Sequence, residues 1–366
     1  MRVALVISSL HAGGAERVIS IMANYWAHKG WDVSILTLAA GDDVPFYELD
    51  PTVKHLPLDL AWVSANRLMG ALSNLRRIWV IRRALARLRP DVVISFMDSA
   101  NVLTLLASRG LRLPVVVSDR IDPAAPDLGR IWRRLRDSAY ATANVVAVQT
   151  ARAKDYFRPA VRANCVVIPN PVFLVSPESS TGTEAAVVRP AIVFMGRLIR
   201  QKGVDLLLVA FARVRERFPE WHLVIIGEGP LRTKIEAQIA ELGLEDLVAL
   251  VGKVRHPEAV LRQADLFVLS SRYEGFPNAL LEAMACGLPA VSFDCPSGPR
   301  EIIRDGVDGI LVPPGDVDGL SAALARLMSD EAERHRLGRR ARDVTERFGL
   351  EKVMGIWEET LQRVVS

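Results

Sequence analysis

Short, nearly unbroken apolar runs alternate along the chain with longer stretches whose apolar positions recur every three or four residues. The short runs, rich in Val, Ile and Leu, predict strands buried on both faces, as in a parallel sheet. They fall at 3–8, 32–38, 92–96, 115–118 and 145–149. Helical spacing predicts helices at 15–29, 65–88, 100–107 and 130–139 between them. The alternation then begins again. Strands are predicted at 191–195, 221–226, 248–251, 266–269, 290–293 and 310–312, with helices at 204–217, 231–242, 257–263, 278–285 and 317–327. Such alternation builds doubly wound α/β sheets with right-handed crossovers, and two blocks predict two of them. The Pro-Asn-Pro run at 169–171 ends the first block, and 176–189 is rich in Ser, Thr, Pro and Glu without apolar period. The expected division is therefore a domain over 1–171, a linker over 172–190 and a domain over 191–343. Open α/β sheets bind ligands beyond the carboxyl ends of their strands, so the cleft between two facing sheets is the expected site.

Composition narrows this little. The chain has 366 residues, 50% hydrophobic and 24% charged, the balance of a soluble globular protein of two domains. No apolar run approaches the roughly 18 residues that span a bilayer. The apolar N-terminus is short and leads into Gly13 and Gly14, which favours a buried strand over a signal peptide. Cys165, Cys286 and Cys295 form no CxxC pair, so neither a disulfide framework nor a zinc site is indicated, and a reducing cytoplasm fits.

Charge changes the picture more. Residues 61–162 carry 18 Lys and Arg against 7 Asp and Glu, whereas the whole chain is only +4. Such a segment calls for an anionic partner. Nucleic acid and an acidic membrane surface are the two candidates, and nucleic acid is the poorer because no recognisable platform interleaves aromatic with basic residues.

Four loops of the second block carry candidate chemistry. Between a strand and a helix, residues 194–203 place Gly196, Arg197 and Lys202 where two cationic heads can reach one anion. A diphosphate suits them, guanidinium chelating two oxygens and ammonium acting as a point charge; a solvated basic loop is the alternative. Residues 225–230 end the next strand with Gly227 in a Gly-Glu-Gly-Pro turn, as often a tight turn as a nucleotide contact. Residues 270–282 form the strongest signal. Glu274 sits in a loop after a strand, Gly275 permits close approach of backbone, Asn278 can start or cap the helix, and Glu282 lies inside it. Carboxylates repel phosphate but accept hydrogen bonds from hydroxyls, so hydroxyl-rich groups on both sides of a diphosphate describe a nucleotide sugar. A loop cap and a solvated helix residue are the plainer alternatives, although Glu282 lies in an apolar context where an unpaired carboxylate is costly. Residues 294–301 add a further polar loop at the same edge. Neither HxH nor HExxH appears, so neither a metal nor any other cofactor is expected and Arg and Lys supply the charge.

The runs Gly-Arg-Leu-x-x-x-Lys-Gly (196–203), Gly-Glu-Gly-Pro (227–230), Glu-Gly-Phe-Pro-Asn-Ala-Leu-Leu-Glu (274–282) and Gly-Ile-Leu-Val-Pro-Pro-Gly-Asp (309–316) together resemble the retaining glycosyltransferases of family 4. Residues 9–17, Ser-Leu-His-Ala-Gly-Gly-Ala-Glu-Arg, extend the resemblance over almost the whole chain. It implies the GT-B fold: two Rossmann-like domains facing across a cleft, with a last helix over about 344–365 returning to the first. It implies that Arg197 and Lys202 bind the diphosphate, that Glu274 faces the sugar and that Glu282 holds the ribose. Gly13 and Gly14 would reach the donor from the opposite domain, Lys253 and Val254 would lie near the nucleobase, and Phe276, Pro277, Leu280 and Leu281 would complete the donor loop. Catalysis would fall to Arg197, Lys202 and Glu274, which stabilise a departing nucleoside diphosphate by preorganised charge. Retention is often explained by attack on the face of departure, with the donor phosphate taking the acceptor proton.

The chain departs from many relatives in lacking a histidine after its fourth N-terminal strand. His11, Asp98, Asp119 and Arg120 are the acceptor-side candidates, each equally readable as a loop cap or a satisfied structural residue. The loops over 94–101 and 118–122 are similar to those of transferases that extend lipid-linked oligosaccharides. An Arg-rich amphipathic helix carrying Arg76, Arg77, Trp79, Arg82 and Arg83, with its theme repeated at 130–136, would meet an anionic interface or a lipid diphosphate. An ordinary amphipathic helix with solvated arginines is the alternative. The expected activity is transfer of a hexose or N-acetylhexosamine from a UDP-sugar to a polyprenyl-diphosphate-linked glycan, peripheral on the inner face of the cytoplasmic membrane. A sugar-nucleotide isomerase of the same architecture and a non-catalytic membrane-associated binding protein are the alternatives.

Overall fold

The computed structural model describes the chain except residues 41–43, 61–66, 121–129 and 173–186. Most of the expected linker and the start of the helix expected from residue 65 lie outside the described residues. The chain divides into two compact units, one of Met1–Asn170 with Val353–Ser366 and one of Pro171–Lys352.

Unit 1 contains β1 (Arg2–Ile7), α1 (Gly14–His28), β2 (Asp32–Thr37), β3 (Lys54–Pro57), α2 (Arg67–Leu88), β4 (Val92–Phe96) and α3 (Asp98–Ser108). It continues with β5 (Val115–Ser118), α4 (Arg130–Tyr140), β6 (Val145–Val148), α5 (Ala151–Tyr156), α6 (Pro159–Arg162) and β7 (Cys165–Val167). All seven strands pair in parallel in the order β3-β2-β1-β4-β5-β6-β7. The central strands are the predicted ones. Every residue of β4 and β5 is buried, because helices cover both faces of a parallel sheet and leave no polar side for alternation to mark. On one face, Val6, Val93, Val117 and Val146 pack against Ile81 and Leu85 of α2, Leu103 of α3 and Tyr140 of α4. The edge strands β3 and β7 escaped prediction for the same reason reversed. Lys54-His55-Leu56-Pro57 is nowhere fully buried, and only Cys165 is buried in β7, so neither has an apolar run. Pro57 is tolerated because an edge strand leaves one row of amides unpaired.

Unit 2 contains β8 (Ala191–Met195), a 3-10 turn at Arg200–Lys202, α7 (Val204–Val214), β9 (His222–Ile226), α8 (Arg232–Glu241), β10 (Val248–Gly252), α9 (Pro257–Leu261) and β11 (Leu266–Leu269). After it come α10 (Asn278–Ala285), β12 (Ala290–Phe293), α11 (Pro299–Ile302), β13 (Gly309–Val312), α12 (Val317–Ser329), α13 (Glu331–Ala341) and α14 (Val344–Arg347). Its six parallel strands run β10-β9-β8-β11-β12-β13. Ile192, Phe194, Leu223, Ile225 and Val291 pack against Leu207 and Phe211 of α7 and Leu324 of α12 on one face. On the other, Val193, Val224 and Phe267 pack against Leu280, Leu281 and Met284 of α10. Helix α13 was not predicted because Glu-Ala-Glu-Arg-His-Arg-Leu-Gly-Arg-Arg-Ala buries only Leu337, Gly338 and Ala341. Asp330 starts it, accepting a hydrogen bond from the Glu333 amide at 2.8 Å.

The single helix expected over 344–365 is two. Helix α15 (Leu350–Val365) follows α14 after a break at Phe348 and Gly349. The Phe348 carbonyl, which a continuous helix would give to residue 352, accepts instead from the Val172 amide at 2.8 Å. Helix α15 buries Val353, Met354, Trp357 and Leu361 along one face. Trp357 stacks on Phe96 with ring centroids 6.4 Å apart, and Lys29 at the end of α1 pairs with Glu358 at 2.9 Å. Trp357→Ala should cost about 3–5 kcal/mol, as large aromatic deletions in closed cores do. Urea unfolding followed by far-ultraviolet circular dichroism will show this as a lowered midpoint for the unit 1 transition.

Candidate functional site

In a sheet of this order the crossovers diverge on either side of the β8–β11 pair, and the space at their carboxyl ends is where such folds bind ligands. The two loops that leave these strands carry most of the candidate residues of unit 2. Gly203 ends the 3-10 turn in the left-handed region at φ 64°, and a Cβ there would collide with the Ser270 carbonyl oxygen. Close approach of the loops rests on that glycine. Ser270 Oγ donates to the Lys202 carbonyl at 3.0 Å, and Gln201 Nε2 donates to the Tyr273 carbonyl at 2.9 Å. Arg272 donates to both Asp205 oxygens, at 2.8 and 2.7 Å, and to the Arg200 carbonyl at 2.7 Å. Arg272 hydrogen bonds hold the Asp205 carboxyl below the usual aspartate range.

This clasp brings Lys202 and Glu274 into contact, with Nζ to Oε1 at 2.5 Å. Glu274 is only 5% exposed. Ser271, fully buried, donates its hydroxyl to the same oxygen at 2.6 Å. Arg197 stands exposed in the β8 loop, and its guanidinium has no partner among the described residues. Gly227 lies at φ 141° against the Gly196 carbonyl, so the β9 loop also closes tightly on this edge. In α10, Asn278 is the first helical residue and Pro277 stands at the cap. Asn278 and Glu282, four residues apart, share its less buried face. Phe276, Leu280 and Leu281 turn into the core, where Phe276 meets Phe348 edge-on at 5.4 Å, and the Leu281 amide bonds the Pro277 carbonyl at 3.3 Å. Those leucines can offer a donor no side chain. Gly275 lies half-buried beside Ser297, whose hydroxyl reaches its carbonyl at 3.2 Å. Lys253 is exposed and Val254 half-buried in the loop after β10.

Unit 1 has the same topology, and its corresponding point lies between β1 and β4. Gly13 and Gly14 open the 15-residue helix α1 there, with His11 exposed in the preceding loop. Asp98 begins α3 after Met97, which adopts φ 76°. Tyr140 donates to Asp98 Oδ1 at 3.2 Å and accepts from Asn101 Nδ2 at 2.8 Å; Asn101 Oδ1 accepts from Ser95 Oγ at 2.8 Å. Burial lifts the Asp98 carboxyl above the usual range, against the opposing charge of Arg136. Asp119 and Arg120 are buried rather than presented at an edge. Arg120 donates to Asn170 Oδ1 and lies over the rings of Phe96 at 4.6 Å and Trp357 at 5.9 Å. Burial pushes its guanidinium down to about 9, opposed by Asp119, so it stays charged at neutral pH.

The basic helices divide similarly. Arg77 donates to the Leu60 carbonyl at 3.2 Å, and Arg82 to the carbonyls of Ala107 at 3.0 Å and Arg109 at 2.5 Å, so both fasten α2 to its neighbours. Arg76 and Arg83 are exposed, with Arg83 over the ring of Trp79 at 5.4 Å. In α4, Arg133 and Arg134 are exposed, but Arg136 is wholly buried against Phe157 at 5.2 Å and Tyr156 at 5.7 Å. That arginine does not belong to a surface.

Two family descriptions match this chain, "Glycosyl transferase 4-like domain" over residues 13–171 and "Glycosyl transferases group 1" over 178–344. The chain carries a glycosyltransferase 4-like domain followed by a group 1 glycosyltransferase domain. The transferase is 28% identical over 100% of its length, and 99% of the relative's, to a Campylobacter jejuni protein. That protein is named as a "GalNAc-alpha-(1->4)-GalNAc-alpha-(1->3)-diNAcBac-PP-undecaprenol alpha-1,4-N-acetyl-D-galactosaminyltransferase". It is 26% identical to the amylovoran biosynthesis glycosyltransferase of Erwinia amylovora over 96% of both chains. Sucrose-phosphate synthase from Thermosynechococcus elongatus matches with a TM-score of 0.82 at 21% identity over 99% of both chains. Anabaena HepE in complex with UDP matches with a TM-score of 0.79 at 20% identity, over 99% of this chain and 100% of that one. These neighbours fix the fold as GT-B, two Rossmann-like parallel-sheet domains.

Several residues that join these loops are not singled out by the sequence. Ser271 had a readable signal, a hydroxyl three positions before Glu274. The Arg272–Asp205 pair and Gln201 had none, since they become neighbours only when β8 and β11 pair. Gly203→Ala should destabilise the transferase by at least about 1–2 kcal/mol, the cost of a left-handed conformation to a residue with a Cβ. Thermal unfolding will register that loss as a lowered midpoint.

Proposed function

We propose that the protein transfers a hexose or N-acetylhexosamine from a UDP-sugar, with retention and without a metal, to a glycan carried on a polyprenyl diphosphate. The observation that carries this reading is the contact of Lys202 with Glu274 across the two loops that leave the β8–β11 switch point, with Arg197, whose guanidinium has no partner among the described residues, in the first of those loops. In this reading Arg197 and Lys202 take the diphosphate, Glu274 the sugar and Glu282 the ribose. Bond breakage at the anomeric carbon leaves charge on the departing phosphate, and the two cations lower its energy because they are held in place beforehand. The acceptor follows the wording of the Campylobacter relative, whose named acceptor is a diNAcBac-PP-undecaprenol glycan. UDP follows the Anabaena structure, which binds it on the same fold.

The test is a donor panel of UDP-, GDP- and ADP-sugars, supplied with and without undecaprenyl-diphosphate-linked glycans. Transfer from a UDP-sugar only when acceptor is present, unchanged by a chelator, is the expected result. Interconversion of the donor without acceptor would sink the reading. A hydrogen bond to a charged group contributes about 1.5–3 kcal/mol, so Lys202→Ala and Glu282→Ala should each weaken donor binding about 10–100-fold.

The same reading seats the protein peripherally on the anionic cytoplasmic face of the membrane. Among the described residues no helix is long and apolar enough to cross one. Helix α2 instead exposes Leu72, Leu75 and Trp79 (68%, 63% and 59%) beside Arg76 and Arg83, and α4 exposes Leu135 beside Arg133 and Arg134. This side-by-side pattern of apolar and basic groups suits a headgroup interface. Each arginine near such a surface contributes about 1 kcal/mol, so Arg76→Ala with Arg83→Ala should weaken binding to phosphatidylglycerol vesicles about 30-fold. Co-sedimentation measures this, and undiminished binding would remove the membrane from the proposal.

A further inference from the structure

The Lys202–Glu274 pair has an arrangement that neither a phosphate ligand nor a sugar ligand requires by itself. Both Lys202 Nζ and Ser271 Oγ donate to one oxygen of Glu274, Oε1, at 2.5 and 2.6 Å. Oε2 has no partner among the described residues and is not sealed from solvent. The carboxylate is thus held by one edge, with its second oxygen left to receive a donor. Ser271 sits with no exposure at the end of β11, and Lys202 is held through its carbonyl by Ser270. Each of the three groups is therefore anchored by backbone that the clasp makes rigid.

Charge then sets a condition on binding. An ammonium next to a carboxylate attracts a diphosphate less than a bare ammonium does, because the carboxylate repels the same oxygens at nearly the same range. A sugar hydroxyl donating to Oε2 draws on the carboxylate's charge and satisfies its open oxygen. A donor with its sugar satisfies both partners, whereas a nucleoside diphosphate without one meets the carboxylate uncompensated.

We infer that Ser271 and Glu274 make the grip of Lys202 on a diphosphate conditional on a sugar hydroxyl at Glu274, so that the site favours release of the spent nucleotide. Within this arrangement Ser271 is a positioning residue, acting through the carboxylate it orients. The inference rests on the donor reading above, and the experiment separates the two.

Isothermal titration with UDP, and with the UDP-sugar that the donor panel selects, compares wild type, Glu274→Gln, Ser271→Ala and Ser271→Thr. Glu274→Gln keeps the shape and removes the charge, so it should bind UDP about tenfold more tightly while its transfer rate falls. Ser271→Ala keeps the ion pair, so UDP affinity should stay within about twofold of wild type. Its kcat/KM with the UDP-sugar should fall about tenfold through the lost hydrogen bond, and Ser271→Thr should restore it. If Glu274→Gln binds UDP no more tightly than wild type, the conditional grip is overturned while the donor reading stands. Equal weakening of UDP and UDP-sugar by Ser271→Ala would make that serine merely structural and overturn its assigned role. Wild type that binds neither ligand would instead overturn the donor reading itself.

Discussion

The pairing of β8 with β11 is the constraint on which the candidate site of unit 2 depends. Ile192 lies opposite Leu266 and Val193 opposite Phe267. This places the first strand of the unit beside its fourth, and the connections leaving them diverge. Lys202 and Glu274, 72 positions apart, touch only because their strands are neighbours. The apolar residues of β8 and β11 are almost entirely buried, so the register is fixed by the core rather than by the loops. The site is in this sense a by-product of packing. Gly203 and Gly227 then allow the backbones to close to distances that any side chain would prevent.

Unit 1 repeats the strand order and turns its polar groups to another purpose. At its carboxyl edge the Ser95–Asn101–Tyr140–Asp98 chain of hydrogen bonds runs inward, and Arg120 and Arg136 lie among aromatic rings. A guanidinium buried this way must recover its lost hydration from neighbouring charge, hydrogen bonds and ring faces. For Arg136, burial works against the charge, and the combined field of Asp119, Asp98, Tyr140 and Asp137 outweighs it. Arg120 relies on Asn170, Asp119 and two rings, one of them from the returning helix α15. The excess of basic residues in this half is therefore not one surface but two populations, some knitting the fold and some facing out.

Which parts were legible follows from what burial does to a sequence. Strands covered on both faces carry only apolar residues, and β4, β5, β8, β11 and β12 were readable within a residue. Edge strands β3 and β7 have a half-exposed composition that no apolar run distinguishes from loop. Helix α13 is mostly charged because it shows the core so few residues, and its existence depends on a cap at Asp330 and on packing. The break between α14 and α15 depends on the Val172 amide, far away in the chain, which takes the Phe348 carbonyl. At the site, loop position after a strand picked out Arg197, Lys202 and Glu274, because strand ends are where such sheets put chemistry.

The sequence by itself determined the two strand–helix blocks, the chemical kinds of residue at the strand ends, and the family. Those features are local, since hydrophobic period and turn chemistry act within a few residues. Only the tertiary structure decided which charges meet: Lys202 with Glu274, Asp205 with Arg272, Arg120 with Asn170, and Arg76 and Arg83 with solvent. Coulomb and hydrogen-bond energies are set by separation in space and by burial, and strand order fixes both without leaving a mark on neighbouring residues in the chain.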